Sequence, residues 1–259
     1  MIRKCFRVIV AVAMVTIAFA TSRTASAQNA LPDALVYLRD VDPTIMQDIR
    51  YATFNNFTGE PLPGYNAAEC VLTRQAAFAL KQVQADLAAS NLALKIYDCY
   101  RPERAVRAMA VWSQDGGDQK PTKRFFPNID KRNLFALGYI ARYSRHSTGT
   151  AIDLTLIQKS AAPAAAFDPT ASYGACTAPL AARAPDNSID MGTGYDCLDP
   201  QGHTAAGNIS LQQHQNRTML VAAMRKRGFS NYVREWWHFT FGGNAAPHYN
   251  TPILPRPGR

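Results

Sequence analysis

Two histidines, one aspartate and one glutamate stand in two short segments of this chain, and their types suit metal-assisted hydrolysis. The first segment runs Ser144-Arg145-His146-Ser147-Thr148-Gly149-Thr150-Ala151-Ile152-Asp153, and the second is Glu235-Trp236-Trp237-His238. A catalytic zinc site commonly takes three protein ligands and keeps a fourth position for water. His146, Asp153 and His238 offer such a set. Their spacing lets the chain turn at Gly149, where glycine supplies the backbone freedom, and return along a strand to Asp153. Glu235 is the natural general base. On a regular strand, positions i and i+3 point to opposite faces. Glu235 must therefore lie in a loop or bulge ahead of the strand that carries His238. Spacing alone leaves plainer readings open. His146 could be a hydrogen-bonded core histidine, Asp153 a strand-end carboxylate, Glu235 the partner of a surface arginine, and Trp236-Trp237 core packing. His203, His214 and His248 take no role on this basis.

The elements that must position these residues are legible in outline. Residues 34–51 read as one short strand and a turn, and 52–66, rich in Asn, Gly and Pro, as an ordered loop. Residues 73–89 predict a helix, with Thr73 as N-cap and Ala77, Leu80, Val83 and Leu87 at helical spacing. LALKIYD at 92–98 reads as a strand, and Pro102 suits the first turn of a helix reaching about Ser113. Arg101, just before that helix, is a cation where the helix dipole disfavours one, so it needs a compensating anion. Residues 114–133 form a long polar loop of the kind that often acts as a lid. The segment from His146 ends as a strand through Ile157. Residues 211–227 predict an amphipathic helix ended by Gly228, and 235–241 an aromatic strand entering the core. The fold class expected is α+β, helices packed on a small antiparallel sheet.

The N-terminus has the layout of a secretory leader over residues 1–27. Arg3, Lys4 and Arg7 precede an apolar run from Val8 to Ala20, and Ala25-Ser26-Ala27 is a small-x-small cleavage site. Residues 28–259 would then be the catalytic domain. The formal charge of +9 falls by four to +5, because Arg3, Lys4, Arg7 and Arg23 leave with the leader. The remaining basic residues are scattered, apart from a loose group from Lys120 to Arg132 that reads as a solvated loop, so no nucleic-acid partner is expected. No later segment is long and apolar enough for stable membrane insertion. Cys70, Cys99, Cys176 and Cys197 remain after cleavage, an even number suited to two disulfides in an oxidising compartment. Of three connectivities, Cys70–Cys99 and Cys176–Cys197 are favoured because each closes a local loop.

The S-x-H-x-x-G-x-A-x-D and E-x-W-H segments together resemble those of the D-alanyl-D-alanine dipeptidases, M15 zinc peptidases that include the dipeptidases of vancomycin resistance. IRYATFNNFTGEPLPGY at 49–65, YDCYRPERAV at 97–106 and DMGTGYD at 190–196 resemble further family segments, with Tyr195 in an aromatic place usually held by Phe. The match runs in order over most of residues 34–241. The resemblance implies the D,D-peptidase or hedgehog-like zinc peptidase fold. It also implies one zinc per chain on His146, Asp153 and His238, Glu235 as catalytic base, and Arg101 steadying the transition state. Ser144, Tyr51 and Asp190 match positions lining the substrate pocket. The substrate implied is a small D,D-dipeptide, hydrolysed in cell-wall peptide turnover or glycopeptide resistance. Two departures stand out. Residues 158–187 look like an insertion, and the cysteines and leader are unlike the cytoplasmic members.

The same zinc chemistry would serve a D,D-carboxypeptidase acting on peptidoglycan stems, and a non-catalytic zinc-stabilised wall-binding protein is a further alternative. A sealed pocket would favour the dipeptidase, an open cleft the carboxypeptidase. The loops at 114–133 and 158–187 are the candidates for closing it. Export predicts a periplasmic or extracellular protein whose mature chain starts at Gln28 with no free thiol. Intact-mass measurement with and without reductant checks both expectations; a retained leader or an alkylatable cysteine would contradict them.

Overall fold

The seven residues of LALKIYD are all buried, and they form a strand that lies inside the sheet. A computed structural model describes residues 30–120, 122–243 and 246–256. The leader assigned to residues 1–27 lies outside the described residues. In chain order, β1 is Leu35–Tyr37, α1 Leu38–Val41, β2 Met46–Gln47, β3 Val71–Thr73 and α2 Arg74–Ala88. They are followed by β4 Leu92–Asp98, α3 Glu103–Gln114, β5 Ala151–Gln158, α4 Leu211–Lys226, β6 Phe229–Asn231 and β7 His238–Phe241. The mixed α+β class is as expected. Residues 34–51 hold more than a strand and a turn: β1, α1, β2 and a 3-10 turn at Arg50–Ala52.

The main sheet has the order β2-β4-β5-β7-β6. Its pairs are antiparallel except at the two-residue edge, where β2 runs parallel to β4. β1 and β3 make a separate antiparallel pair. Register divides the main sheet into two chemically different faces. One carries Leu94, Ile96, Ile152, Leu154, Leu156 and Phe239, an apolar surface backed by α2 and α4. The other carries Lys95, Asp98, Asp153, Thr155 and His238. Because both faces are covered, β4 and β5 are buried almost end to end instead of alternating.

Helix ends follow their sequence cues. Thr73 accepts a hydrogen bond from the Ala76 N–H at the start of α2. Ser210 and Gln213 form a reciprocal capping box on α4. That helix ends at Gly228, whose φ is +85°. Two disulfides, Cys70–Cys99 and Cys176–Cys197, match the expected pairs.

Both loops named as candidates for closing the site are anchored by buried contacts. Within 114–133, Phe125, Phe126 and Lys131 are buried, and Lys131 pairs with Asp115. The 158–187 segment packs beside Arg50 and Lys95, where Asp186 bonds both cations.

The turn feeding β5 depends on Gly149. Its φ is +70°, and a Cβ there would lie 2.5 Å from Leu35 Cδ2 and 3.3 Å from the Thr73 nitrogen. Gly149→Ala thus meets both backbone strain and a clash with the β1–β3 pair. We expect it to cost about 1–3 kcal/mol, read as a lower midpoint in urea unfolding; an unchanged midpoint would show that the turn relaxes freely.

Candidate metal centre

Asp98, Asp153 and His238 stand in one row across β4, β5 and β7, because Asp153 pairs with both neighbours. A bulge makes this possible. Ile96 pairs with Leu154 but Asp98 with Asp153, so Tyr97 is the extra residue on β4. Without it, Asp98 would point to the apolar face; bulges re-aim side chains in this way. His146 reaches the row from the 3-10 turn Arg145–Thr148, where Ser144 accepts a hydrogen bond from the His146 N–H at 3.2 Å.

His146 Nε2 lies 3.1 Å from His238 Nδ1 and 3.3 Å from Asp153 Oδ1, and His238 Nδ1 is 3.0 Å from Asp153 Oδ1. These ligand-type atoms all lie within 4.8 Å of one another. The donor set suits a borderline metal such as zinc. His146 Nδ1 lies 2.6 Å from the Cys99 carbonyl, to which it donates, and this leaves the Nε2 lone pair free for a metal. Burial would raise Asp153, but the two imidazoles hold its carboxyl well below the usual range.

Glu235 sits outside the strand, as its spacing required. The Glu235 N–H donates to the Tyr232 carbonyl, and the Glu235 carbonyl accepts the His238 N–H, closing a turn. The Asn231 side-chain amide clamps that turn by donating to the carbonyls of Glu235 and His238. Glu235 Oε2 is thereby placed 3.7 Å from His238 Nδ1. Burial pushes its carboxyl up to about 7, against the pull of His238.

Arg101 finds the anion that its position demanded in Asp98, which takes Nε at 2.9 Å and Nη2 at 2.8 Å. Asp98 also accepts the Tyr65 hydroxyl at 2.6 Å. The guanidinium lies 4.7 Å over the Tyr51 ring and 3.5 Å from Asp153 Oδ2.

These groups line one cavity of about 410 Å³, within the range of small-molecule sites. His146, Asp153, His238, Glu235, Arg101, Tyr51 and Ser144 all contribute to its lining. Further wall comes from Gly138–Ala141, from Tyr143 and Arg145, from Ser230–Tyr232 and from the apolar Phe57, Val106, Met109 and Leu198, and none from either candidate loop.

Asp190 is the exception among the expected site residues. Its carboxylate takes Arg183 at 2.9 Å, Gln213 at 2.8 Å and the Gly192 N–H at 3.0 Å, which ties it to α4, and it does not line the cavity. Asp196, six residues on, lines it instead and accepts the Tyr51 hydroxyl at 2.8 Å. Burial, followed by the Asp153 charge, pushes the Asp196 carboxyl well above its usual value. Asp98 and Asp196 were both missed from sequence. The available signal was an acid at the end of an otherwise apolar strand for Asp98, and a second acid in DMGTGYD for Asp196.

Two imidazoles and a carboxylate, flanked by a raised carboxyl and an arginine, equip a metal-dependent hydrolase. Comparison with known proteins narrows this class. The chain belongs to the M15 peptidase family, described as D-ala-D-ala dipeptidase, which it matches over residues 32–165 and 157–257. It is 32% identical over 219 residues to the D-alanyl-D-alanine dipeptidase of Enterococcus faecium, covering 84% of this chain and 96% of the relative. The enzyme of the same name from Streptomyces coelicolor is 36% identical over 207 residues, covering 80% and 90%. That from Escherichia coli is 30% identical over 205 residues, covering 79% and 83%. Members of this family are metallopeptidases, and this chain is one.

Asp98→Ala removes both close contacts of the buried Arg101 guanidinium and leaves it only the 3.5 Å approach to Asp153. Breaking such a pair typically costs about 3–5 kcal/mol. Chemical denaturation of the variant is expected to show that loss, and a change under 1 kcal/mol, roughly that of an exposed pair, would contradict it.

Proposed function

We propose that this protein is an exported, zinc-dependent dipeptidase that splits D-alanyl-D-alanine into two D-alanines. The observation that carries the reading is Asp196, a buried carboxylate lining the same cavity as the two-histidine, one-aspartate cluster, Glu235 and Arg101. An ammonium placed against Asp196 fixes which residue of a peptide is its first. A longer peptide would set a neutral amide there and forgo the ion pair, which only a free ammonium can make with this carboxyl. The relatives' names supply the D-alanyl preference.

His146, Asp153 and His238 are the residues that would hold the zinc, one ion per chain. When bound, zinc acts as a Lewis acid toward water and the scissile carbonyl. Glu235 accepts a proton from the attacking water and delivers it to the leaving amine. Its elevated pKa, near neutrality, suits both transfers. Arg101 offers its guanidinium to the developing oxyanion, pre-aimed by Asp98 so that little reorganisation is needed. Tyr51 steadies both Arg101, through its ring, and Asp196, through its hydroxyl.

Export is supported by the basic and apolar leader and by two disulfides, which persist in oxidising compartments. Among the described residues no helix is long and apolar enough to cross a membrane. Outside the cytoplasm the activity serves recovery of D-alanine from wall peptides better than removal of cytoplasmic precursors.

Incubation with free D-alanyl-D-alanine and with a stem pentapeptide, with and without chelator, tests the reading. D-alanine is expected from the dipeptide, lost on chelation and restored by zinc. Release from the pentapeptide alone would make the protein a D,D-carboxypeptidase, and release from neither a binding protein. Glu235→Ala is expected to lower kcat by about 10²–10⁴-fold while zinc stays bound; joint loss of zinc would make Glu235 a ligand. Arg101→Ala is expected to lower kcat by about 10²–10³-fold, and a variant impaired in KM alone would remove it from the transition state.

A further inference from the structure

Asp153 has two oxygens in different company. Oδ1 faces the imidazoles, 3.0 Å from His238 Nδ1 and 3.3 Å from His146 Nε2. Oδ2 accepts the Tyr195 hydroxyl at 3.0 Å and lies 3.5 Å from Arg101 Nη2. We propose that Tyr195 is a positioning residue whose hydroxyl occupies Asp153 Oδ2, so that Oδ1 alone is presented to the metal and the open side of the centre stays free for substrate. The proposal rests on the metal-centre reading above.

Tyr195 has little freedom to do otherwise. Its ring stacks on Tyr97 at 4.4 Å with the planes 13° apart, and Trp237 meets it edge-on at 5.8 Å. Tyr97 is fixed in turn, because its hydroxyl donates to Asp186 Oδ2 at 2.8 Å and Asp186 also binds Arg50 and Lys95. The chain of contacts thus runs from the 158–187 segment, through two stacked rings, to one oxygen of a metal-binding carboxylate. Tyr195 is buried, which restricts the room for water to replace a lost hydroxyl. With the hydroxyl removed, Oδ2 keeps only Arg101 as a donor. The carboxylate is then free to turn, either offering both oxygens to the metal or drawing Arg101 toward itself.

Tyr195→Phe keeps the stacked ring and deletes only the donor. Zinc affinity, measured by chelator competition on the purified protein, is expected to fall on the order of 10-fold, the lower end of what outer partners of metal ligands contribute. Melting of the metal-free protein is expected to stay close to that of the parent, and KM to move less than kcat. Tyr97→Phe serves as the comparison: it keeps the stacked ring and the Tyr195 hydroxyl and deletes only the bond to Asp186, so it should lower metal-free stability and lower zinc affinity less than Tyr195→Phe does. Unaltered zinc affinity in Tyr195→Phe overturns the proposal. So does a loss matched by Tyr97→Phe, which would make the effect one of general stability. His146→Ala separates the two levels of inference. If it retains zinc at parental affinity, the centre itself has been misread and the role of Tyr195 falls with it.

Discussion

Setting two carboxylates side by side on adjacent buried strands is the constraint that shapes this molecule. Asp98 and Asp153 are paired in register and both are buried. Charges at that separation repel strongly in a low-dielectric interior. The surroundings answer with cations and donors. Tyr65 donates to Asp98 and Tyr195 to Asp153, while Arg101 and His146 each face both carboxylates. Hydrolytic competence thus grows out of an electrostatic problem posed by strand register, and a dication would complete the neutralisation.

Much of this was readable from residue order, and the failures have physical causes. Helical spacing in α2, the capping threonine and the glycine stop of α4 are local signals, and they located those elements well. Two further readings came from conflict with local rules. Arg101 at a helix start demanded an anion, and Glu235 three residues before His238 demanded a break in the strand. Asp98 escaped notice because its orientation depends on a bulge, which only pairing with β5 defines. Asp190 was preferred to Asp196 because motif adjacency does not say which of two acids faces inward. The turn at Gly192, with φ of +87° and its N–H on Asp190, settles that instead. Tyr195 looked like a conservative aromatic substitution, yet its single oxygen touches the centre.

The walls of the cavity teach the same lesson about loops. A polar loop at 114–133 and an insertion at 158–187 were the candidates for closing the cavity, but neither lines it. The second buries Asp186 against Arg50 and Lys95 on the polar face of the sheet. What composition read as surplus chain is thus a cover for charges that the sheet could not otherwise leave inside. Much of the cavity wall instead comes from residues between 138 and 145 and from the end of β6 with the turn that follows it, stretches with little compositional signature.

Cys99 joins covalent chemistry to imidazole geometry. Its sulfur is bridged to Cys70, beside β3, and its carbonyl is the acceptor that orients His146. The next N–H, that of Tyr100, also donates to β3, at Val71. Oxidative maturation and ligand orientation are therefore coupled at one residue. With that bridge unformed, the acceptor would be held by the core packing of Cys99 and by main-chain hydrogen bonds, without the covalent tie to the segment beside β3.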